Sequence, residues 1–441
     1  MTIVAKFGGS SLANASQFEK VKNIVLSNPE RKYIVPSAPG RVHKDEQKVT
    51  DLLILLYDLA VRNLNTREIL LMIKDRYQAI IQDLELSIDL SQEFETIEKN
   101  LLSDLTLDYV LSRGEYLNGK LLAHYLGYEF MDPMELIYFL PDGRVDGKRT
   151  YAALDAMAKE HQKVVIPGFY GCGADGKVKT FSRGGSDITG SIIACGVSAN
   201  LYENWTDVTG FLAADPRIVD KPHQINFITY PELRELSYSG ASILHEEAVF
   251  PVTNKGIPIE IRNTNAPEEE GTYIIQDILD DPKEPPITGV AGRKNFSVIN
   301  LQKIRMSQDL SFLRKALTVF EANDVFPEHI PSSIDSLSFI ISDSYLENKR
   351  ERIISELKTF CAPDEISISS GIALVTIVGR NMKNRVGISS KIFTTLADNN
   401  INIQMIVQGA SEINIIIGVR EEDFAPAQKV IYEAFFQKEP K

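Results

Sequence analysis

Residues 169–187, FYGCGADGKVKTFSRGGSD, hold two glycine clusters, and the fold turns on which of them receives a phosphate. Gly171, Gly173 and Gly176 match G-x-G-x-x-G, the spacing of dinucleotide-binding turns. That fingerprint works where a strand feeds a helix whose N-terminus meets the pyrophosphate. Here the strand-like KVVIPGFY (163–170) precedes the glycines, but KVKTF (177–181) alternates like a second strand. The spacing therefore predicts a hairpin with Asp175 and Gly176 in its turn. SRGGSD (182–187) differs, because Ile188, Ile192 and Ile193 behind it predict a helix starting near Ser186. Arg183 then stands just before a helix N-terminus, and Gly184 and Gly185 let a ligand approach bare backbone N–H groups.

The same logic recurs at the other end of the chain. TIVAKF (2–7) reads as a strand ending in Lys6, followed by Gly8, Gly9 and a helical pattern. This is not a Walker A motif, since the lysine precedes the glycines. Either turn alone could be a tight connection with a solvated cation, but two such turns favour phosphate binding. A third stretch, NWTDVTGFLAADPRIVD (204–220), places Thr206 and Asp207 at a strand end, where α/β sheets hold their ligands. Asp215 and Pro216 mark a turn beside Arg217, while Trp205, the one tryptophan, reads as core packing.

Outward from these turns, strands alternate with helices. RKYIVPSAPG (31–40) is strand and turn, 49–126 is helical, and ANLYENWTDV (199–208) is strand. Thr229, Pro231 and Glu232 predict a helix beginning near 230. Another is expected through ASILHEEAVFPVTNK (241–255), stopping at Gly256 before the strand IPIEIRNT (257–264). Such alternation implies a mostly parallel α/β sheet covered by helices on both faces. DDPKEPPITG (280–289) suits a linker. Two similar units follow, each read as strand–helix–strand–strand–helix, a ferredoxin-like order. The first comprises SVINLQKIR (297–305), a helix over 309–323, DVFPEHIPSS (324–333), DSLSFIIS (335–342) and a helix over 346–360. The second comprises ALVTIVGR (373–380), GISSKIFTTLADNN (387–400), INIQMIVQGAS (401–411), EINIIIGVR (412–420) and FAPAQKVIYEAFF (424–436).

Composition bounds the rest. The chain has 441 residues and a net charge of −13, from 60 acidic and 47 basic residues, which argues against nucleic acid or an anionic membrane as partner. The longest apolar runs are too short to span a bilayer, and no signal peptide is visible. Cys172, Cys195 and Cys361 lie far apart and the six histidines are scattered, so no zinc site is expected and a cytoplasmic location is.

In order along the chain, KFGGSS (6–11), SRGE (112–115), KTFSRGGSD (179–187), NWTDVTG with ADPR (214–217), and SGASILH (239–245) followed by IPIEIRNTNAPEEEGT (257–272) resemble the aspartokinases of the amino-acid kinase superfamily. The two C-terminal units resemble tandem ACT domains. The resemblance implies an amino-acid kinase fold over 1–280 and two ACT units over 281–371 and 372–441. With no residues left for a fused dehydrogenase, a monofunctional, feedback-regulated enzyme is expected.

It further implies ATP-dependent phosphorylation of the side-chain carboxylate of L-aspartate, in the pathway to lysine, threonine and methionine. A carboxylate with a pKa of about 4 is already ionised at neutral pH, so no general base is needed. The chemistry needs positioning and charge neutralisation at the transferred phosphoryl group. By resemblance Lys6 and Asp187 are catalytic. Ser37, Thr50, Glu115, Arg183, Gly184, Gly185 and Ser186 bind aspartate, Arg183 taking the α-carboxylate and Glu115 the α-ammonium. Lys6, Phe7, Gly8, Gly9, Thr206, Asp207, Leu212, Arg217 and Ser242 lie on the nucleotide side. Mg²⁺ follows from ATP use, with no protein ligand identified.

There are departures: Ser10, Ser182 and Thr209 replace common family residues, and Ser242 stands where lysine is frequent on the nucleotide side. In the regulatory part Gly387 keeps the ACT pattern, whereas DLSFL (309–313) departs from it. Met306, Glu328, His329, Ser332, Ser333 and Asp335 form a candidate effector set. Two carboxylates favour lysine over threonine, against an ordinary charged strand edge. A homodimer at least, through the ACT units, is implied. The rivals are a catalytically silent amino-acid sensor and another carboxylate kinase of the superfamily.

Overall fold

The computed structural model describes all residues except 44, 104, 183, 242, 243, 245–247, 278–284, 384 and 438–441. The chain divides into two units. The first comprises Met1–Phe211, Asn226–Tyr230 and Ile243–Ile278, and the second Leu212–Ile225, Pro231–Ser242 and Leu279–Lys441.

In the first unit, β1 (Ile3–Phe7), α1 (Ala15–Ser27), β2 (Arg31–Pro36) and the helices α2 (Val49–Val61), α3 (Arg67–Asp83), α4 (Ser91–Ser103) and α5 (Leu107–Leu126) come first. Then follow β3 (Glu129–Phe130), α6 (Gly147–Glu160), β4 (Val164–Val165), the hairpin β5 (Tyr170–Cys172) and β6 (Val178–Thr180), α7 (Gly185–Gly196) and β7 (Leu201–Thr206). The unit is completed by β8 (Phe227–Thr229), by α8 (Tyr230–Tyr238), of which only Tyr230 belongs here, and by α9 (Phe250–Thr253), β9 (Ile259–Asn263) and β10 (Thr272–Ile275). The sheet order is β3-β4-β2-β1-β7-β9-β10-β8, parallel except between β9 and β10. Alternation along β1 explains its two covered faces. Ala5 and Phe7 enter an apolar core with Phe18, Leu53, Leu117 and Trp205, under the helices α1–α5. Lys6 turns to the other face, where α7 packs on β1, β2 and β7.

The predicted hairpin over 170–180 is present: Gly176 has φ +79° and β5 pairs with β6 antiparallel. G-x-G-x-x-G here is a turn, not a dinucleotide fingerprint. Two local expectations are corrected. KFGGSS does not run straight into an α-helix; a 3₁₀ turn over Gly9–Leu12 intervenes, and α1 starts later, capped by Asn14. The helix expected over 241–255 is only Phe250–Thr253 among the described residues, with Pro251 in its first turn. Proline belongs in a first turn because it lacks the N–H that a helix interior needs.

The second unit is built on one antiparallel sheet of order β12-β11-β13-β15-β14. Its elements are β11 (Gly289–Gln302), α10 (Leu310–Ala322), β12 (Ser336–Ser342), α11 (Asp343–Leu346), α12 (Arg350–Cys361), β13 (Glu365–Val378), α13 (Ile388–Asp398), β14 (Met405–Val407), β15 (Asn414–Arg420) and α14 (Phe424–Phe436). Two helix-covered cores result, one with Phe312, Phe320, Phe339 and Leu357, the other with Ile377, Ile392, Ile417 and Ile431. The expected linker ends earlier than 289. Ile287 is buried in the second of these cores, and the Thr288 hydroxyl donates to Glu232 at 2.5 Å. Part of that stretch, 280–284, lies outside the described residues. The strand expected at 324–333 forms only isolated bridges, His329 to Ile340 and Ser332 to Leu337. Pro327 and Pro331 cannot donate to a ladder, which limits this edge to scattered pairs.

α8 is fastened to this sheet by residues three apart. Glu232 accepts from Thr288 and from the Arg380 backbone N–H at 2.8 Å, Glu235 accepts from Asn414 at 2.6 Å, and Tyr238 shares the Glu328 carboxylate. Gly240, with φ +107°, lets the chain press against the Gly292 carbonyl, where a Cβ would stand 2.9 Å away.

Candidate active site

A cavity of about 630 Å³ opens at the C-terminal ends of β1, β2 and β7 and the N-terminus of α7. Its walls include Lys6, Gly8, Gly9, Ser37, Thr50, Glu115, Gly184, Gly185, Ser186, Asp187, Thr206 and Asp207. Twelve residues proposed from sequence thus converge on one space. Arg183 and Ser242 lie outside the described residues. Phe7 faces away from the cavity, stacked on Trp205 with ring centres 6.0 Å apart. Leu212 and Arg217 belong to the second unit, where Arg217 pairs with Asp215 at 2.6 Å.

The strand register assembles the charged centre. Lys6 on β1 stands beside Asn204 on β7, so both side chains leave the same face of the sheet. The Lys6 ammonium meets Asp187 Oδ1 at 2.5 Å and donates to Asn204 Oδ1 at 3.3 Å. Asn204 Nδ2 donates to the same Asp187 oxygen at 3.0 Å. Two residues back on β7, the Tyr202 hydroxyl donates to the Asp187 carbonyl at 3.0 Å. Lys6 and Asn204 are both buried.

α7 starts against this centre because its entry is shaped by glycine. Gly184 has φ +63°, a left-handed conformation that strains any other residue. At Gly185 a Cβ would stand 2.5 Å from the Phe169 ring. Phe169 itself has φ +83°, rare for a bulky residue, and is held by Thr189 Oγ1, which accepts its backbone N–H at 3.0 Å. The α7 N-terminus, with its positive dipole end, therefore borders the cavity at fixed geometry.

The opposite wall comes from α5, which grips the loop after β2 with one stripe of residues. Gly114 packs so closely that a Cβ would stand 2.9 Å from that of Ala38. Glu115 Oε1 accepts the Ala38 N–H at 3.1 Å, and Asn118 Nδ2 donates to the Ser37 carbonyl at 2.6 Å. Glu115 Oε2 is buried without a partner, and burial pushes the carboxyl up to about 7. Its neighbour Arg113 is not in the cavity wall; it stacks between Tyr109 and Tyr116 at 4.6 and 4.3 Å. Half of the SRGE motif is thus packing and half is site.

Sequence reasoning did not single out Asn204, Arg41 or Lys48. Arg41 and Lys48 line the cavity and add two cations to Lys6. Lys48 lies two residues before Thr50, and nothing in the spacing marks an asparagine that bridges two distant motifs.

In the second unit Glu328 is largely buried and bonded to Arg293 at 2.6 Å, with Arg293 lying over the Tyr238 ring. Burial first, then Glu328, pushes the Tyr238 hydroxyl up to about 12. His329 is lowered by burial. Asp335 is exposed and accepts the Arg305 N–H at 2.8 Å, and Ser333 donates its N–H to the Ser336 carbonyl. Met306 packs on the nearby core. The six effector candidates are strung beside β12 and its flanking turn.

A model of the amino acid kinase family matches residues 1–263, and an ACT domain model matches 375–435. Aspartokinase 3 of Bacillus subtilis (strain 168) is 36% identical over 448 residues, covering 98% of this chain and 98% of that protein. The crystal structure of Clostridium acetobutylicum aspartate kinase is similar at a TM-score of 0.93 and 49% identity, covering 98% of this chain and 99% of that one. Escherichia coli aspartokinase III, solved in complex with aspartate and ADP, shares the fold at a TM-score of 0.76 and 24% identity, covering 99% of this chain and 100% of that one. Its complex with lysine and aspartate gives a TM-score of 0.78 at the same identity and coverage. With Lys6, Asp187 and Glu115 gathered at one cavity and these likenesses spanning nearly the whole length, the chain belongs to the aspartokinases of the amino acid kinase family, phosphotransferases that here carry a C-terminal ACT domain.

Proposed function

We propose that the chain uses ATP to phosphorylate the side-chain carboxylate of L-aspartate, giving 4-phospho-L-aspartate. The observation that carries this reading is the pairing of two unlike features in one cavity. One is a buried carboxylate with an unpartnered oxygen, Glu115, and the other is an ammonium–carboxylate centre, Lys6 and Asp187, beside a helix N-terminus. The first suits the α-ammonium of an amino acid, and the second suits a phosphoryl group in transfer. Ser37, Thr50, Gly184, Gly185 and Ser186 would shape the aspartate side, with Arg183 receiving the α-carboxylate bidentately. Gly8, Gly9, Thr206 and Asp207 would face the nucleotide; Leu212, Arg217 and Ser242 are nucleotide-side candidates by the family pattern alone. The Escherichia coli relative bound to aspartate and ADP supports this pairing of ligands.

Among the described residues no three His, Cys, Asp or Glu side chains are grouped to hold a metal. Mg²⁺ would enter with ATP, whose phosphates supply oxygen ligands, leaving room for a carboxylate such as Asp207. The domain limits 1–280, 281–371 and 372–441 belong to the same reading. Gly371, at the second limit, has φ +76° within β13, while the first limit lies outside the described residues.

For regulation, lysine is the proposed feedback effector, in preference to threonine, with Glu328 as the acidic partner of its side-chain ammonium. The lysine complex of the Escherichia coli relative supports that choice. Paired second units, meeting at sheet edges such as β14 with its half-exposed Ile406, would give at least a homodimer. A cytoplasmic setting fits three free cysteines, and among the described residues no helix is long and apolar enough to cross a membrane.

The test is ATP turnover in the presence of hydroxylamine, which converts an acyl phosphate into a hydroxamate. Hydroxamate from aspartate and not from glutamate is expected, with suppression by lysine. ATP turnover with no hydroxamate from aspartate would refute the reaction.

A further inference from the structure

We propose that Asn204 is a positioning residue for phosphoryl transfer, acting through Lys6 and Asp187 rather than on the substrate. Three observations carry this. The parallel register places Asn204 directly beside Lys6, on the same face of the sheet. Its amide is used at both ends, the oxygen accepting from the Lys6 ammonium at 3.3 Å and the nitrogen donating to Asp187 Oδ1 at 3.0 Å. Both Lys6 and Asn204 are buried, so the amide competes with little water for these bonds.

The chemistry explains why an amide stands there. A lysine side chain has four rotatable bonds, and an ion pair with Asp187 alone would leave its ammonium free to swing about the carboxylate. A neutral group that accepts from the cation and donates to the anion closes a triangle and fixes both. Because it carries no charge, the cation is not neutralised a second time and remains available to an anionic phosphoryl group. A carboxylate at 204 would reverse this, adding a negative charge beside Asp187. Leucine, with the same branched arrangement of heavy atoms, would fill the position and lose both bonds.

This inference rests on the aspartokinase reading of the cavity, so the full-length chain is first shown to form aspartyl hydroxamate. Asn204→Leu and Asn204→Asp are then compared with the unsubstituted chain for kcat, aspartate KM and pH profile, with thermal unfolding as a check of the fold. A misplacement of about 1 Å in a reacting group lowers rate about 100-fold, so Asn204→Leu is expected to lose about 10- to 100-fold in kcat. Its aspartate KM should stay within about threefold, because the Glu115 side is untouched. Asn204→Asp should be worse than Asn204→Leu at high pH and recover relative to it as pH falls, because a protonated carboxyl again donates to Asp187 and accepts from Lys6. A residue that merely fills space would leave Asn204→Leu near the parent and give no pH at which Asn204→Asp exceeds it. Should either variant fail to fold, Asn204→Ser, smaller and still able to accept and donate, is measured in the same way. A folded Asn204→Leu with kcat within about twofold of the parent, or a ratio of the two variants that is flat with pH, overturns the proposal. Absence of hydroxamate from the parent chain would instead refute the underlying reaction.

Discussion

Glu115 and Ala38 are joined by one hydrogen bond, from the Ala38 N–H to Oε1 at 3.1 Å, and this leaves the second carboxylate oxygen buried and unpartnered. Burial raises the carboxyl to about 7. The folded chain therefore holds a proton that the unfolded chain, with an ordinary carboxyl, has released near neutral pH. Folding stability from this group falls as pH rises from the unfolded value through about 7. Substrate binding needs the opposite form, since only the carboxylate can meet an ammonium. The value of kcat/KM for aspartate should accordingly fall as pH drops below about 7, because that ratio reports the free enzyme. Glu115→Gln should lose this limb and raise the aspartate KM by about 30-fold or more, the scale of breaking a buried charge pair. The same variant should melt higher than the parent at pH above the carboxyl's range. An unchanged KM together with an unchanged melting temperature would contradict the assignment.

Lys6 and Asp187 should behave as a unit. Lys6→Met removes the cation beside the developing charge, and Asp187→Asn removes the anion that holds it. Each is expected to lower kcat by about 100- to 1000-fold, as loss of a preorganised electrostatic contact does. Aspartate binding, read by calorimetry, should change little, because Glu115 lies on the opposite wall. The double variant should lose scarcely more than either single one. Additive losses would show that the two act separately.

The turn after β1 depends on backbone lying on backbone. At Gly40 a Cβ would stand 2.6 Å from the Gly9 carbonyl carbon, and the Gly40 N–H already donates to Gly9 O at 2.8 Å. Neither neighbour is a flexible side-chain end. Gly40→Ala should therefore destabilise the chain by about 1–3 kcal/mol and lower activity together with it. Gly409→Ala is the control, since its added carbon meets only Ser411 Oγ at 3.6 Å, and a change within about 0.5 kcal/mol is expected. Denaturant unfolding of both variants decides the matter.

Arg293 already occupies the carboxylate proposed for the effector. A lysine ammonium must compete with this guanidinium for Glu328, at 2.6 Å in the structure. Arg293→Met should lower the lysine concentration for half inhibition by about fivefold or more, because the cost of displacing the resident cation is removed. Glu328→Gln should abolish lysine inhibition and leave basal activity intact. Lysine inhibition unchanged in both variants would move the effector elsewhere.

Much of the fold was legible because periodicity and glycine placement act locally. The 170–180 hairpin followed from alternation in KVKTF, and α7 from its isoleucines. Glu115 was the harder case. In SRGEYLNGK a carboxylate reads as surface, and only the ordered set of motifs lifted it into the site. Its burial depends on α5 pressing Gly114 against Ala38, a contact between residues 76 apart that no local pattern encodes. Asn204 was missed for a similar reason, because its partners Lys6 and Asp187 meet it only through strand register. The broken edge at 324–333 is legible in Pro327 and Pro331, which lack the N–H groups that a ladder needs.

The most direct measurement follows the bridging oxygen. Aspartate carrying oxygen-18 in its side-chain carboxylate is incubated with the chain, ATP and hydroxylamine, and the released phosphate is examined by mass spectrometry. If the carboxylate attacks the terminal phosphorus, hydroxylamine then cleaves the acyl carbon–oxygen bond and the phosphate departs with the bridging oxygen-18. Phosphate bearing a single oxygen-18, in step with the hydroxamate formed, is the expected result. Unlabelled phosphate would mean that water, not aspartate, receives the phosphoryl group, and would contradict the assigned chemistry.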